Sequence, residues 1–161
     1  MKKHIYSEIV IAAPVAHVWD VLVRTTDYGD WNPFIRQIEG ALEVGARLQV
    51  TLTMEAGKTT RFRPCVIRML PGREIRWIGR LGLAGIFDGE HSLAVEPEDG
   101  GSTRFIHQET FSGVLVPFVW IYLKPRLGTA FHGMNQALKQ RVENAARNDR
   151  IGCNNTDRSA P

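Results

Sequence analysis

The sequence predicts an α+β domain in which a curved antiparallel sheet of seven strands wraps around one long C-terminal helix. Three observations lead there. Hydrophobic residues alternate with period two through most of residues 35–112, and short turn-forming stretches separate the alternating runs. From Leu127 onward the period lengthens to three or four. Short connections build antiparallel hairpins, because a parallel crossover needs a dozen residues or more. One helix covers one face of such a sheet, and a sheet that bends round its helix leaves a cavity between them.

Taken in order, Ile5, Ile9 and Ile11 mark a first strand that ends at Ala12-Ala13-Pro14, where proline removes a ladder donor. Pro14 suits the start of a helix over Val15–Arg24, with Val18, Trp19 and Leu22 as its apolar stripe. Asp27–Pro33 reads as an aromatic-rich turn or single helical turn. Six strands follow: Ile35–Glu39, Arg47–Glu55, Thr59–Met69, Glu74–Arg80, Gly89–Glu96 and Thr103–Phe111. The turns between them carry Gly45, Gly57, Pro71-Gly72 and Gly100-Gly101. Leu127, Phe131, Met134, Leu138, Val142 and Ala145 then trace the long helix, which Pro125 either starts or kinks. One domain over residues 1–147 and a flexible tail over 148–161 are expected.

Strand parity sorts side chains between the two faces. Leu48, Val50, Leu52 and Met54 share a face, as do Phe62 with Val66 and Ile75 with Trp77. The opposite face is rich in arginine: residues 61–80 hold six arginines against one acid, Glu74. A solvated outer sheet face explains this best, because arginine stems cover apolar surface while their heads stay in water.

The last two strands carry polar residues on apolar faces. His91 accompanies Leu93 and Val95; His107 and Glu109 accompany Phe105 and Phe111. A buried carboxylate must be paired, hydrogen-bonded or protonated, and an imidazole is a natural partner. His91, His107 and Glu109 are therefore the candidate catalytic or ligand-orienting group, with a structural hydrogen-bond network as the alternative reading. Two histidines and a glutamate could also ligate zinc. Their spacings of 16 and 2 residues match no metal signature, so no metal and no cofactor are expected.

Trp31, Phe34, Met54, Phe62, Trp77 and Phe87 are candidate ligand-lining residues from the sheet side. Phe105, Phe111 and Trp120 extend the wall, and Phe131, Met134 and Leu138 of the helix would form its floor. Arg80 could meet an anionic ligand end only if local twist turns it from its outward parity. Val114–Leu123, the longest apolar stretch, is read as a lid over the pocket, a dimer contact or a surface that touches a membrane during ligand exchange.

Composition narrows the alternatives. The chain has 161 residues, 43% hydrophobic and 23% charged, with a formal charge of +3, so collagen-like, disordered and coiled-coil readings drop out. The charge is far from that of a DNA-binding polycation, and no nucleic-acid partner is expected. Cys65 and Cys153 stand 88 positions apart and frame neither a disulfide scaffold nor a four-ligand zinc site. Val114–Leu123 is about half a bilayer span and contains Pro117, so no stable membrane insertion is expected. With no apolar signal core after Lys3, a cytoplasmic protein is the default. Gly82, Gly85 and Gly89 do not form a dinucleotide fingerprint, and GxSxG, Walker and HExxH patterns are absent. Ser112 has no identifiable base, and Cys65 reads as a small packed residue.

IAAPVAHVWDVLVRTTDYGDWNPFI (11–35), FRPCVIRMLPGREIRWIGRLG (62–82), GIFDGEHSL (85–93), FIHQETFSGVLVP (105–117) and FHGMNQALKQRVE (131–143) together resemble the START-like, or helix-grip, superfamily. The similarity is to its polyketide cyclase/dehydrase and lipid-transport (SRPBCC) branch and spans about residues 3–147. It implies a seven-stranded sheet around a C-terminal helix, two short helices after the first strand, and an apolar cavity. Members bind lipids, sterols, polyketides or plant hormones, and some are cyclases. The cysteine–histidine pairs of the iron–sulfur oxygenase branch are missing, and no catalytic motif is universal enough to transfer to a position here.

The leading expectation is a protein that binds a small hydrophobic or aromatic ligand, as a monomer or homodimer. The first alternative is a cyclase or dehydratase in which His107 or His91 removes a carbon-bound proton while Glu109 holds the ring tautomer. The second is an interaction module whose cavity has collapsed onto Trp19, Trp77 and Phe131.

Overall fold

The computed structural model describes residues 2–54 and 57–156, with side chains described as far as Arg147. Glu55 and Ala56, expected to end a strand and open a turn, and residues 157–161 of the expected tail lie outside the described residues.

Strand β1 (Lys2–Ile11) leads through Pro14, which caps rather than enters the helix, into α1 (Val15–Val23). A 3₁₀ turn (Thr25–Asp27) and the one-turn helix α2 (Tyr28–Trp31) complete the expected pair of short helices. This block is locked by its own polar groups. The Tyr28 hydroxyl donates to the Leu22 carbonyl at 2.7 Å, and the Asn32 side-chain oxygen accepts from the amides of Phe34 and Ile35 at 2.9 Å each. Burial pushes the Tyr28 phenol up from its ordinary pKa, since the charged form has no partner.

The sheet follows as β2 (Ile35–Glu39), β3 (Gln49–Thr53), β4 (Thr59–Phe62), β5 (Cys65–Leu70), β6 (Glu74–Arg80), β7 (Asp88–Glu98) and β8 (Ser102–Ser112). All pairings are antiparallel, in the orders β1-β8-β7-β6-β5 and β2-β3-β4. Among the described residues there are thus eight strands where seven were expected. The single strand expected over Thr59–Met69 divides at Arg63-Pro64, because Pro64 has no amide hydrogen to offer a ladder. The chain nevertheless keeps one register past the break: Val50 pairs with Phe62, and Arg47 bridges Cys65. Leu48 donates to the Pro64 carbonyl at 2.9 Å, while Gly45 and Val66 exchange bonds with Val66 and Ala46. The two sheets are therefore joined edge to edge along this short seam. Beyond it β4 diverges from the end of β6.

Helix α3 (Val116–Thr156) starts well before Pro125, which sits inside it. A proline removes only its own donor, here the one that would reach the Ile121 carbonyl, and the turns on either side carry the helix across. Gly113 makes the entry to α3 possible: at φ 129°, a β-carbon there would collide with the Ile86 carbonyl oxygen. Leu127, Phe131, Met134, Leu138 and Val142 are buried as the spacing predicts, whereas Ala145 is exposed. Lys139 bonds the Val10 carbonyl and Glu143 accepts the Ala12 amide, tying the helix to β1.

The arginine-rich face is outside. Glu74 gathers Arg68 at 2.8 Å, Arg76 at 2.5 Å and the Ser92 hydroxyl at 2.8 Å, and Arg76 also meets Glu90. Partial burial of the Glu74 carboxyl works against ionisation, but these donors outweigh it and hold its pKa below the usual carboxylate range. Among the described residues, no helix is long and apolar enough to cross a membrane.

Candidate functional site

Two inward positions without side chains open a cavity. Gly79 on β6 and Gly89 on β7 face each other across the ladder, two pairs beyond Trp77 and His91 and therefore on the same face. Where every other inward residue fills the core, these two leave bare backbone. The cavity above them measures about 230 Å³. Leu52, Met54 and Phe62 wall it from the diverging three-stranded sheet; Trp77, Phe87 and Phe111 stand opposite; Leu123 and Leu127 of α3 close the top. Thr60, Arg61 and Arg80 supply polar groups on its border, and Arg80 lies 3.9 Å from Asp88. A second cavity of about 290 Å³ lies between Pro33, Phe34 and Thr53 and the α3 residues Ala130 and Gly133, and Met54 lines both.

One carboxylate enters the first cavity. Glu109 reaches the space that Gly89 leaves empty: a β-carbon on Gly89 would be 2.9 Å from Glu109 Oε1. Behind it runs a buried chain of polar groups. Glu109 Oε2 is 3.5 Å from His91 Nδ1, His91 Nε2 is 3.1 Å from His107 Nε2, and His107 Nδ1 is 3.0 Å from Asn135 Oδ1. The Asn135 amide in turn donates to Ser7 Oγ at 2.9 Å. With that amide committed to Ser7, its oxygen is left for His107, whose Nδ1 must carry the hydrogen. His107 Nε2 is then bare and accepts from His91 Nε2–H. The remaining nitrogen of His91, Nδ1, faces Glu109 Oε2 at 3.5 Å.

Aromatic rings fix this line in place. His91 stacks on Trp77 with centroids 4.8 Å apart, and His107 stacks on Phe131 at 3.6 Å. Burial drives the His107 pKa well below its ordinary value, and the neighbouring His91 pushes the same way; the bond to Asn135 opposes both. His107 is thus held as a neutral imidazole. Among the described residues no group of three or more His, Cys, Asp or Glu side chains could hold a metal ion.

The family model described as polyketide cyclase / dehydrase and lipid transport matches residues 2–143. The chain belongs to that family. Comparison with the curated proteins finds no match. Solved structures share the fold. The Zhui aromatase/cyclase of a Streptomyces species superposes with a TM-score of 0.71 at 18% identity, over 89% of this chain and 94% of that one. A point mutant of norcoclaurine synthase from Thalictrum, in complex with a transition-state analogue, gives 0.70 at 16% identity over 91% and 97%. A START superfamily protein from Mycobacterium smegmatis gives 0.69 at 19% identity over 88% and 98%.

Within this polyketide cyclase / dehydrase and lipid transport fold, the expected site residues separate into two sets. Met54, Phe62, Trp77, Phe87 and Phe111 line the first cavity, and Phe34 with Met54 lines the second. Trp31, Phe105, Trp120, Phe131, Met134 and Leu138 line neither. Trp31 lies edge-on to Tyr28 and Trp120 edge-on to Phe111, while the other four are fully buried. The floor expected from Phe131, Met134 and Leu138 is solid core, because the helix meets the sheet directly there. The first cavity opens under its earlier turns, where Leu123 and Leu127 face it, and the second lies to one side of this core at Ala130 and Gly133. Of the three polar candidates, Glu109 alone borders the cavity; His91 and His107 stand in line behind it. Arg80 keeps its outward parity yet reaches the border, since the cavity opens at the end of β6.

Sequence reasoning missed Gly79, Gly89 and Asn135. The signal for the glycines was their inward parity, and for Asn135 its place inside the apolar stripe beside Met134.

Proposed function

We propose that the protein binds a small amphipathic molecule, its ring or chain in the apolar wedge and a hydrogen-bond-donating group on Glu109. A single carboxylate set in a mostly apolar wall, with Thr60, Arg61 and Arg80 only at its border, carries this reading. Apolar contact supplies affinity at about 25 cal/mol per Å² removed from water, and one charged acceptor sets orientation. The fold shared with an aromatase/cyclase and with norcoclaurine synthase supports an aromatic ligand class.

Two probes test it, 2-naphthol and naphthalene. Native mass spectrometry and fluorescence titration should show both binding. Glu109→Gln should weaken 2-naphthol about tenfold, as expected for loss of a charge-assisted hydrogen bond, and change naphthalene by less than about twofold. Equal losses, or no binding of either probe, would refute the reading.

The polar chain favours a second reading, acid–base catalysis on the bound molecule. Here the order of groups differs from the sequence expectation. Glu109 meets the substrate and takes its carbon-bound proton, while the imidazole pair orients the carboxylate from behind. A generic carbon acid such as 5-nitrobenzisoxazole reports this chemistry. Base-catalysed ring opening should be lost in Glu109→Gln, and turnover indifferent to Glu109 would exclude it.

A further inference from the structure

Helix α3 is apolar on both sides before Pro125. Val116, Trp120 and Leu123 turn inward, yet Phe118, Ile121 and Tyr122, spaced three and four apart, turn outward; Phe118 is 74% exposed and Ile121 73%. A helix that is hydrophobic all round is normally covered on all sides. The patch continues onto the β6–β7 loop, where Leu81 and Leu83 are exposed and whose backbone is bonded to the helix start through Val114–Gly85 and Leu115–Ile86. Eight of the thirteen exposed large hydrophobic residues among the described residues belong to these two segments.

Charge identifies what covers the patch. Thr110–Val142 contains no Asp or Glu, while Lys124 and Arg126 follow the patch on the helix and Lys3 stands over the Trp120 ring at 5.9 Å. A second copy docked through this face would bring lysine and arginine against their own counterparts. An anionic surface complements them instead.

We propose that this end of the molecule docks reversibly on a lipid monolayer containing anionic headgroups, with Phe118, Ile121 and Leu83 in the acyl boundary and Lys124 among the phosphates. The placement serves the cavity: Leu81 and Leu123 line it and lie in the same two segments, so a docked molecule presents the cavity border to the membrane. In that respect the proposal deepens the ligand-binding reading, from which its test is separable.

The test is flotation of the whole protein with phosphatidylcholine vesicles, with and without phosphatidylserine, no cavity ligand being added. The protein should float with the anionic vesicles and stay in solution with neutral ones. Binding should fall at least about tenfold in Phe118→Asp/Ile121→Asp and also weaken in Lys124→Glu and in high salt. Both aspartates are at exposed positions, and 2-naphthol binding by the variant verifies that it is folded with its cavity intact. The proposal is overturned if the native protein ignores anionic vesicles, or if the double variant floats as well as the native protein. A stable dimer in solution, broken by the same substitutions and silent toward vesicles, would replace it with a second copy as the occupant. Loss of 2-naphthol binding in the native protein would strike the cavity reading and leave the flotation result standing.

Discussion

Gly89→Leu should weaken binding of 2-naphthol by close to a hundredfold while leaving the protein folded. The substituted β-carbon would stand 2.9 Å from Glu109 Oε1 and 3.4 Å from the Phe111 ring, so both must move. The rest of the leucine points into the only room available, the cavity itself. Displacing roughly 100 Å² of ligand contact costs about 2.5 kcal/mol, close to a hundredfold in affinity. Folding should survive, because a side chain entering empty space adds apolar contact, and glycine is a poor strand residue. Titration of the probe, together with a thermal melt, checks both halves. Undiminished binding in a folded Gly89→Leu protein would show that ligand sits elsewhere. Gly79→Ala provides a graded control: its nearest obstacle is the edge of the Phe62 ring at 3.3 Å, which can give slightly, so binding should weaken less.

The second large effect is on stability in acid. His107 is neutral in the folded state because its folded pKa lies below the ordinary imidazole value. Between those two values the unfolded chain binds a proton that the folded one refuses. Stability from this group is therefore complete above about pH 6.5 and falls as pH drops, by at most about 1.4 kcal/mol per pH unit. The depressed carboxylates Glu74 and Glu143 act lower down, their contribution being lost only as pH falls below the ordinary carboxylate range. Urea midpoints measured from pH 8 to pH 5 should fall in the native protein. His107→Phe should cost about 2–4 kcal/mol at pH 8, because Asn135 and His91 each lose a buried partner. Its disadvantage should then narrow toward pH 5. Parallel native and variant curves would show that the imidazole is not the acid-sensitive group.

The elements were legible because each has a simple period. β1, α1 and the strands from β6 to β8 fall where alternation and spacing put them, and the inward placing of His91, His107 and Glu109 followed from parity alone. The order of those three groups did not follow. Whether Glu109 or a histidine meets a ligand depends on where along the sheet the helix lifts away, which is a property of packing between elements far apart in sequence. The expected floor was misplaced for the same reason: Phe131 and Met134 sit on the correct helix face but over the closed part of the interface. The division at Pro64 was visible as a proline inside an apparent strand. Its consequence for the sheet depended on the partner strands on either side.

That seam has a geometric meaning. Three backbone hydrogen bonds around Pro64 join the smaller sheet to the larger one. Ile35, Ile38 and Val50 of the smaller sheet are buried in the common core, so packing anchors it as well as this short spine. Leu52, Met54 and Phe62 stand on its side of the cavity, and Trp77, Gly79 and Glu109 on the side of the larger sheet. The chamber is thus the wedge left where two edge-joined sheets part, and the spread between these two walls sets the girth of what can enter.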